Sequence, residues 1–129
     1  MPSRIFSTPA FDKFARKSRI EDERLIDAVD RADRGLIYAD LGEGVIKQAV
    51  ARANESAARG FRTIVGFKTD SRAFFLFGFA KNESENITAN ALREFRMISA
   101  RLTALSNADI EALVGDGELR EIERPTWAK

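Results

Sequence analysis

Residues 44–81 read GVIKQAVARANESAARGFRTIVGFKTDSRAFFLFGFAK, and the periodicity of this stretch decides the fold. Val45 to Ala51 alternates as a strand, with Val45, Lys47, Ala49 and Ala51 on one face and Ile46, Gln48 and Val50 on the other. Arg52 to Arg59 is a polar loop. Phe61 to Lys68 alternates again, Phe61, Thr63, Val65 and Phe67 against Arg62, Ile64, Gly66 and Lys68. After the turn at Asp70-Ser71, the run from Ala73 to Ala80 is dense in Phe and reads as a central strand covered on both sides. Three strands joined by short connections predict an antiparallel meander.

Toward the N-terminus, Arg4 to Phe6 reads as a short strand ended by Ser7-Thr8-Pro9. Thr8 is a candidate N-cap for a helix carrying Phe11, Phe14 and Ala15. A second helix is expected from near Glu21, with Leu25, Ala28, Val29, Ala32 and Leu36 on its buried face. Acids fill its first turn, Arg31 and Arg34 its last, and Gly35 stops it. The segment Asp40-Leu41-Gly42-Glu43-Gly44 reads as turn.

Toward the C-terminus, Thr88 is expected to cap a long helix running to about Leu105, with Leu92, Phe95, Ile98, Leu102 and Leu105 as its buried stripe. Asn107 would cap a short helix through Leu113, followed by a tail that alternates briefly at Leu119 and Ile122. The sum is a single α+β domain over 1–129, its core within about 1–105. Helices pack on a small antiparallel sheet made of the three-strand meander and a short N-terminal strand.

Composition narrows the chemistry. The 129 residues contain no cysteine and no histidine, which excludes disulfides, thiol nucleophiles, imidazole bases and His or Cys metal ligands. Catalysis is left to Lys, Arg, Asp, Glu, Ser, Thr or the lone Tyr38. The longest apolar run, Ala73 to Ala80, is too short to span a bilayer, and the first residues carry no apolar signal region. A cytoplasmic protein without membrane contact is expected.

The net charge of +1 is unevenly spread. Residues 45–72 hold Lys47, Arg52, Arg59, Arg62, Lys68 and Arg72 against Glu55 and Asp70, a local excess of positive charge suited to an anion. Arg62 and Lys68 share a strand face, on which Gly66 would let a ligand backbone approach, and Lys81 stands at its rim. Such a set could cleave RNA by activating a ribose 2′-hydroxyl while Arg stabilises the charged phosphorane. The alternative is that each cation pairs with a helix acid or faces water. Phe74, Phe75, Phe77 and Phe79 fit a core better than a stacking surface, and Asp27, Asp30 and Asp33 fit a solvated acidic helix face better than a metal site.

The strings Gly44-Val45-Ile46-Lys47-Gln48, Ala51-Arg52, Gly60-Phe61-Arg62-Thr63-Ile64 and Phe77-Gly78-Phe79-Ala80-Lys81-Asn82-Glu83 resemble the RelE/HigB-like toxins of type II toxin–antitoxin systems. Phe11-Asp12-Lys13-Phe14-Ala15-Arg16-Lys17 extends the resemblance toward the N-terminus. The resemblance implies a toxin silenced by a cognate antitoxin, in a toxin–antitoxin hetero-oligomer. It also implies mRNA cleavage on the translating ribosome, without metal or cofactor, by basic residues of the sheet. On the matching positions, Arg62 would stabilise transition-state charge, and Lys47 or Lys81 would move a proton or orient phosphate. Arg52, Arg59 and Lys68 would hold RNA or ribosome backbone.

One departure bears on activity. Relatives usually carry a basic, glycine-rich loop before the Gly-Phe-Arg strand, whereas residues 53–60 here include one basic residue, Arg59, and one acid, Glu55. Fewer phosphate contacts mean weaker attraction to RNA. Two alternatives therefore stand beside the nuclease. One is a non-catalytic toxin of the RelE/ParE superfamily that binds a protein target such as DNA gyrase. The other is a weakened toxin that still binds its antitoxin.

Overall fold

The computed structural model describes residues 2–52, 60–81 and 87–125. Its elements run β1 (Arg4–Ser7), α1 (Pro9–Lys17), α2 (Asp22–Asp33), β2 (Ala39–Gly42), β3 (Val45–Val50), β4 (Phe61–Lys68), β5 (Arg72–Ala80), α3 (Ala89–Ala104), α4 (Asn107–Gly115) and β6 (Arg120–Ile122). The meander β3-β4-β5 forms as expected, with Ala49 opposite Arg62 and Thr63 opposite Gly78. The sheet around it corrects the sequence reading in size and direction. It has six strands in the order β2-β3-β4-β5-β1-β6, and β1 runs parallel to β5, so the sheet is mixed.

Each addition has a local cause. Gly42, Glu43 and Gly44 all have positive φ, and Glu43-Gly44 supplies the two left-handed residues of a tight hairpin between β2 and β3. The residues read as turn are therefore half strand and half turn. β1 pairs with β5 in parallel, Ile5 opposite Ala73 and Phe6 opposite Phe74. β6 closes the far edge through three residues, with Ile5 opposite Ile122. Arg4 clamps that closure with a two-pronged contact to Glu121, donating from Nε at 3.0 Å and from Nη2 at 2.8 Å. Hydrogen bonding to Glu121 holds the Arg4 guanidinium above its ordinary range, and Asp22 does the same for Arg120.

Helices cover both faces. On one, Phe11 and Ala15 of α1 and Leu25, Ala28, Val29 and Ala32 of α2 pack on Ile46, Val50, Phe61, Val65, Ala73 and Phe75. On the other, Ile110 of α4 and the half-buried Phe95 and Leu102 of α3 cover Phe6, Phe74 and Leu76. β5 is thus central and covered on both sides. A bulge at Ile64/Val65 lets Val65 pair with Phe75 and Ile64 with Phe77, leaving Leu76 as the extra residue. Ile110, Leu119 and Ile122 are buried, so the packing runs past Leu105 to the end of β6.

Several local expectations change. Thr8 and Thr88 cap α1 and α3, each accepting from the backbone N–H three residues on. The cap of α4 is Ser106, not Asn107. Leu36 lies beyond α2 and is exposed, because the chain turns at Gly35 in a left-handed conformation. Ile98 is also exposed, and the sheet-facing position of α3 is taken by the fully buried Ser99, which donates to Gly44 O at 2.8 Å. The small side chain is required there, because a Cβ on Gly66 would lie 2.8 Å from Ser99 Oγ. Gly66 thus admits a helix, not a ligand.

Candidate functional site

Of the cations singled out in the sequence, the fold brings some together and separates others. Lys47 on β3 is opposite Ile64, and Ala49 is opposite Arg62, so Lys47 and Arg62 are diagonal neighbours on one face, about 7–8 Å apart. Arg52 follows β3 by two residues, and Lys81 directly follows Ala80, the partner of Phe61. Both therefore emerge at the end of the sheet where Arg62 sits. Lys68 is six residues along β4 from Arg62, roughly 20 Å away at strand rise, and belongs to the opposite end. Arg59 lies outside the described residues, as do Glu83, Glu85 and Trp127.

Arg72 takes no part in this cluster. It is buried at the start of β5 and donates to the carbonyls of Leu102 at 3.2 Å and Leu105 at 2.6 Å, and to Asn107 Oδ1 at 3.0 Å. The two carbonyls lie at the C-terminus of α3, where the helix dipole favours a cation, and Asn107 opens α4. The central excess of positive charge is therefore split between a structural cap at one end and a candidate site at the other. The acids of α2 are likewise employed. Asp27 pairs with Arg31, Asp30 pairs with Arg124, and Asp33 accepts from Ser3 and from the backbone N–H of Asp70.

Arg62 is not a surface residue. Only 5% of it is exposed, and its Nη1 donates to Phe61 O at 3.3 Å. Its guanidinium lies over the ring of Tyr38, with Cζ 4.5 Å from the centroid, and Lys47 Nζ is 6.0 Å from the same ring. Tyr38 is held from below. Its backbone N–H donates to Gln48 Oε1 at 3.1 Å, and Gln48 Nε2 donates to Ala28 O at 2.9 Å and Leu36 O at 3.0 Å. Gln48 is 2% exposed, so a buried amide ties the segment before β2 to α2. Arg52 stacks on Phe61, its Cζ 4.6 Å from the ring centroid. Among the described residues, no carboxylate pairs with Lys47, Arg52 or Lys81.

The sequence did not single out Tyr38 as a site residue. The only signal was its being the lone tyrosine, placed where no periodic face claimed it. A second feature needs the folded chain as well. A groove of about 830 Å³ runs along the end of β5, walled by Phe14, Phe61, Phe77, Phe79 and Phe95 and with Arg52 among its cations. Phe77 is 45% exposed, so one of the four phenylalanines of β5 read as core faces solvent instead.

This geometry defines a small α+β domain in which Lys47 and Arg62 pack against Tyr38, while Arg52 and Lys81 emerge at the same end of the sheet. Residues 3–122 match the family described as the RelE toxin of the RelE/RelB toxin–antitoxin system, and the chain belongs to that family. It is thus a toxin-family protein for which a cognate antitoxin is the implied partner. No curated protein matches it significantly. No helix among the described residues is long and apolar enough to cross a membrane.

Proposed function

We propose that the chain is an endoribonuclease that cuts mRNA on the ribosome and needs no metal. The observation that carries this reading is the packing of Lys47 and Arg62 against Tyr38, with Arg52 and Lys81 emerging at the same end of the sheet. In the reaction, a ribose 2′-oxygen attacks the adjacent phosphorus and the bond to the 5′-oxygen breaks. The products are a 2′,3′-cyclic phosphate and a 5′-hydroxyl. Lys47 or Lys81 takes up the 2′-hydroxyl proton or orients the phosphate, and the departing 5′-oxygen gains a proton. Arg62 adds its positive charge from beneath the Tyr38 ring, in surroundings of low dielectric where a fixed charge acts strongly on a developing anion. Arg52 would hold backbone phosphates of RNA or ribosome, as would Arg59, which lies outside the described residues, whereas Lys68 at the far end of β4 falls outside this site.

Dependence on the ribosome follows from the small number of cations. Three or four phosphate contacts give weak, salt-sensitive binding to free RNA, so the strand must be presented by something that already holds it. A cytoplasmic location goes with that substrate. The antitoxin would cover the cationic sheet end with an acidic or amphipathic segment.

A second reading draws on the burial of Arg62 and on the exposed Met97 and Ile98 of α3. It is a toxin that binds a protein target and cuts nothing. Inducible expression separates the two. New mRNA 5′ ends inside translated codons, absent when translation is blocked and absent in Lys47→Ala, support the nuclease. Growth arrest with intact mRNA favours the protein target.

A further inference from the structure

We propose that the Tyr38 ring is a stacking platform for one nucleobase of an RNA strand, with Lys47 set against that nucleotide's phosphate. This rests on the nuclease reading above and names how its substrate is held. Four observations meet at this ring. Tyr38 is 57% exposed, although it is neither in a helix nor in a strand. One face of the ring lies against the Arg62 guanidinium, 4.5 Å from Cζ to centroid. The Lys47 ammonium stands 6.0 Å from the centroid. The backbone of Tyr38 is fixed by Gln48, which is buried and satisfied on both sides of its amide.

Each observation answers a requirement of nucleotide binding. A stacking surface must be exposed, yet it must not lose much freedom when the base arrives. The cation behind the ring and the buried amide beneath the backbone fix it in advance. A guanidinium on one face also withdraws charge from the ring, which favours stacking of an electron-rich base on the other. A nucleotide joins a flat π-face to an anion, and the site sets an aromatic face beside an ammonium. Stacking of this kind tolerates any base, because every base has a π-face. Recognition at Tyr38 would therefore position the strand for cleavage without fixing its sequence.

The test uses the fact that Tyr38 is the lone tyrosine of the chain. Full-length protein carrying ring-labelled tyrosine gives a single set of ring signals by NMR. It is titrated with a single-stranded RNA hexamer whose riboses are 2′-O-methylated to prevent cleavage, and with a matching strand lacking bases. Affinities of wild type, Tyr38→Ala and Tyr38→Phe are measured by anisotropy. The proposal expects the intact hexamer to move the ring signals upfield and the baseless strand to leave them in place. It expects Tyr38→Ala to weaken hexamer binding by about 5- to 100-fold and Tyr38→Phe to stay within about twofold of wild type. Binding of the hexamer by wild type with no ring shift, or with Tyr38→Ala equally tight, overturns the platform and leaves the nuclease reading standing. A wild-type protein that binds neither strand at low salt also overturns the platform, and the nuclease reading, in which the ribosome presents the strand, is then judged by cleavage on translating ribosomes.

Discussion

Gln48 holds the segment that carries Tyr38, and replacing it by leucine tests that link. The side chain is 2% exposed and makes three hydrogen bonds, to the Tyr38 N–H and to the carbonyls of Ala28 and Leu36. Leucine has nearly the same volume, so the change removes polarity and leaves little cavity. Ala28 O lies within α2, where it also accepts from the helix ladder, and loses the least. The Tyr38 N–H and Leu36 O lose their side-chain partner, at about 1–3 kcal/mol each where water cannot replace it. Both belong to a surface segment that water reaches, and leucine gains about 1 kcal/mol from its added apolar area. The expected net loss is therefore about 1–3 kcal/mol. Urea unfolding at neutral pH, followed by far-UV circular dichroism, should show a lower midpoint with an unchanged slope. Amide exchange at residues 36–38 should accelerate by more than the global loss of stability accounts for. An unchanged midpoint, or exchange at 36–38 that merely follows global stability, would refute the view that Gln48 fixes this segment.

Three further predictions follow from the packing and the placement of charge. Gly66→Ala should destabilise by about 1–3 kcal/mol in thermal or urea melts because its Cβ meets Ser99, whereas Gly115→Ala, with nothing within 4 Å, should be neutral or slightly stabilising. Arg72→Met should cost about 2–4 kcal/mol in the same melts and fray the C-terminal turn of α3, visible as faster amide exchange, since its buried guanidinium caps that helix. In ribosome-dependent cleavage of a defined mRNA, Lys47→Ala should lower the rate at least tenfold while Lys68→Ala stays within about twofold, because Lys68 lies at the far end of β4.

What could be read from the sequence was what one strand or one helix reveals about itself. The alternation of β3 and β4, the Phe-rich run of β5 and the threonine caps of α1 and α3 are local facts, and they stand. The partner of β1 is not local, because four residues of strand do not say whether they pair with β5 or with an edge. β2 is hidden among Asp and Gly residues that serve the hairpin, and β6 has three residues held largely by what they pair with. In α3, the period marks a stripe but not which of Ile98 and Ser99 meets the sheet. The two glycines opposite decide it.

The candidate site divides in the same way. That Lys47 and Arg62 are diagonal neighbours depends on cross-strand register, which a strand's own parity does not contain. The burial of Arg62 depends on Tyr38 folding over it from another strand's approach. Charge excess over residues 45–72 marked a stretch of chain, but it could not show that Arg72 caps a helix while Arg62 backs an aromatic ring.

The most direct test of the nuclease is a reconstituted translation reaction with purified full-length protein and one defined mRNA, read by primer extension. The account predicts new 5′-hydroxyl ends within translated codons and 2′,3′-cyclic phosphates on the upstream fragments, both lost when ribosomes are omitted and in Lys47→Ala. An mRNA that stays intact on translating ribosomes at saturating protein would contradict it.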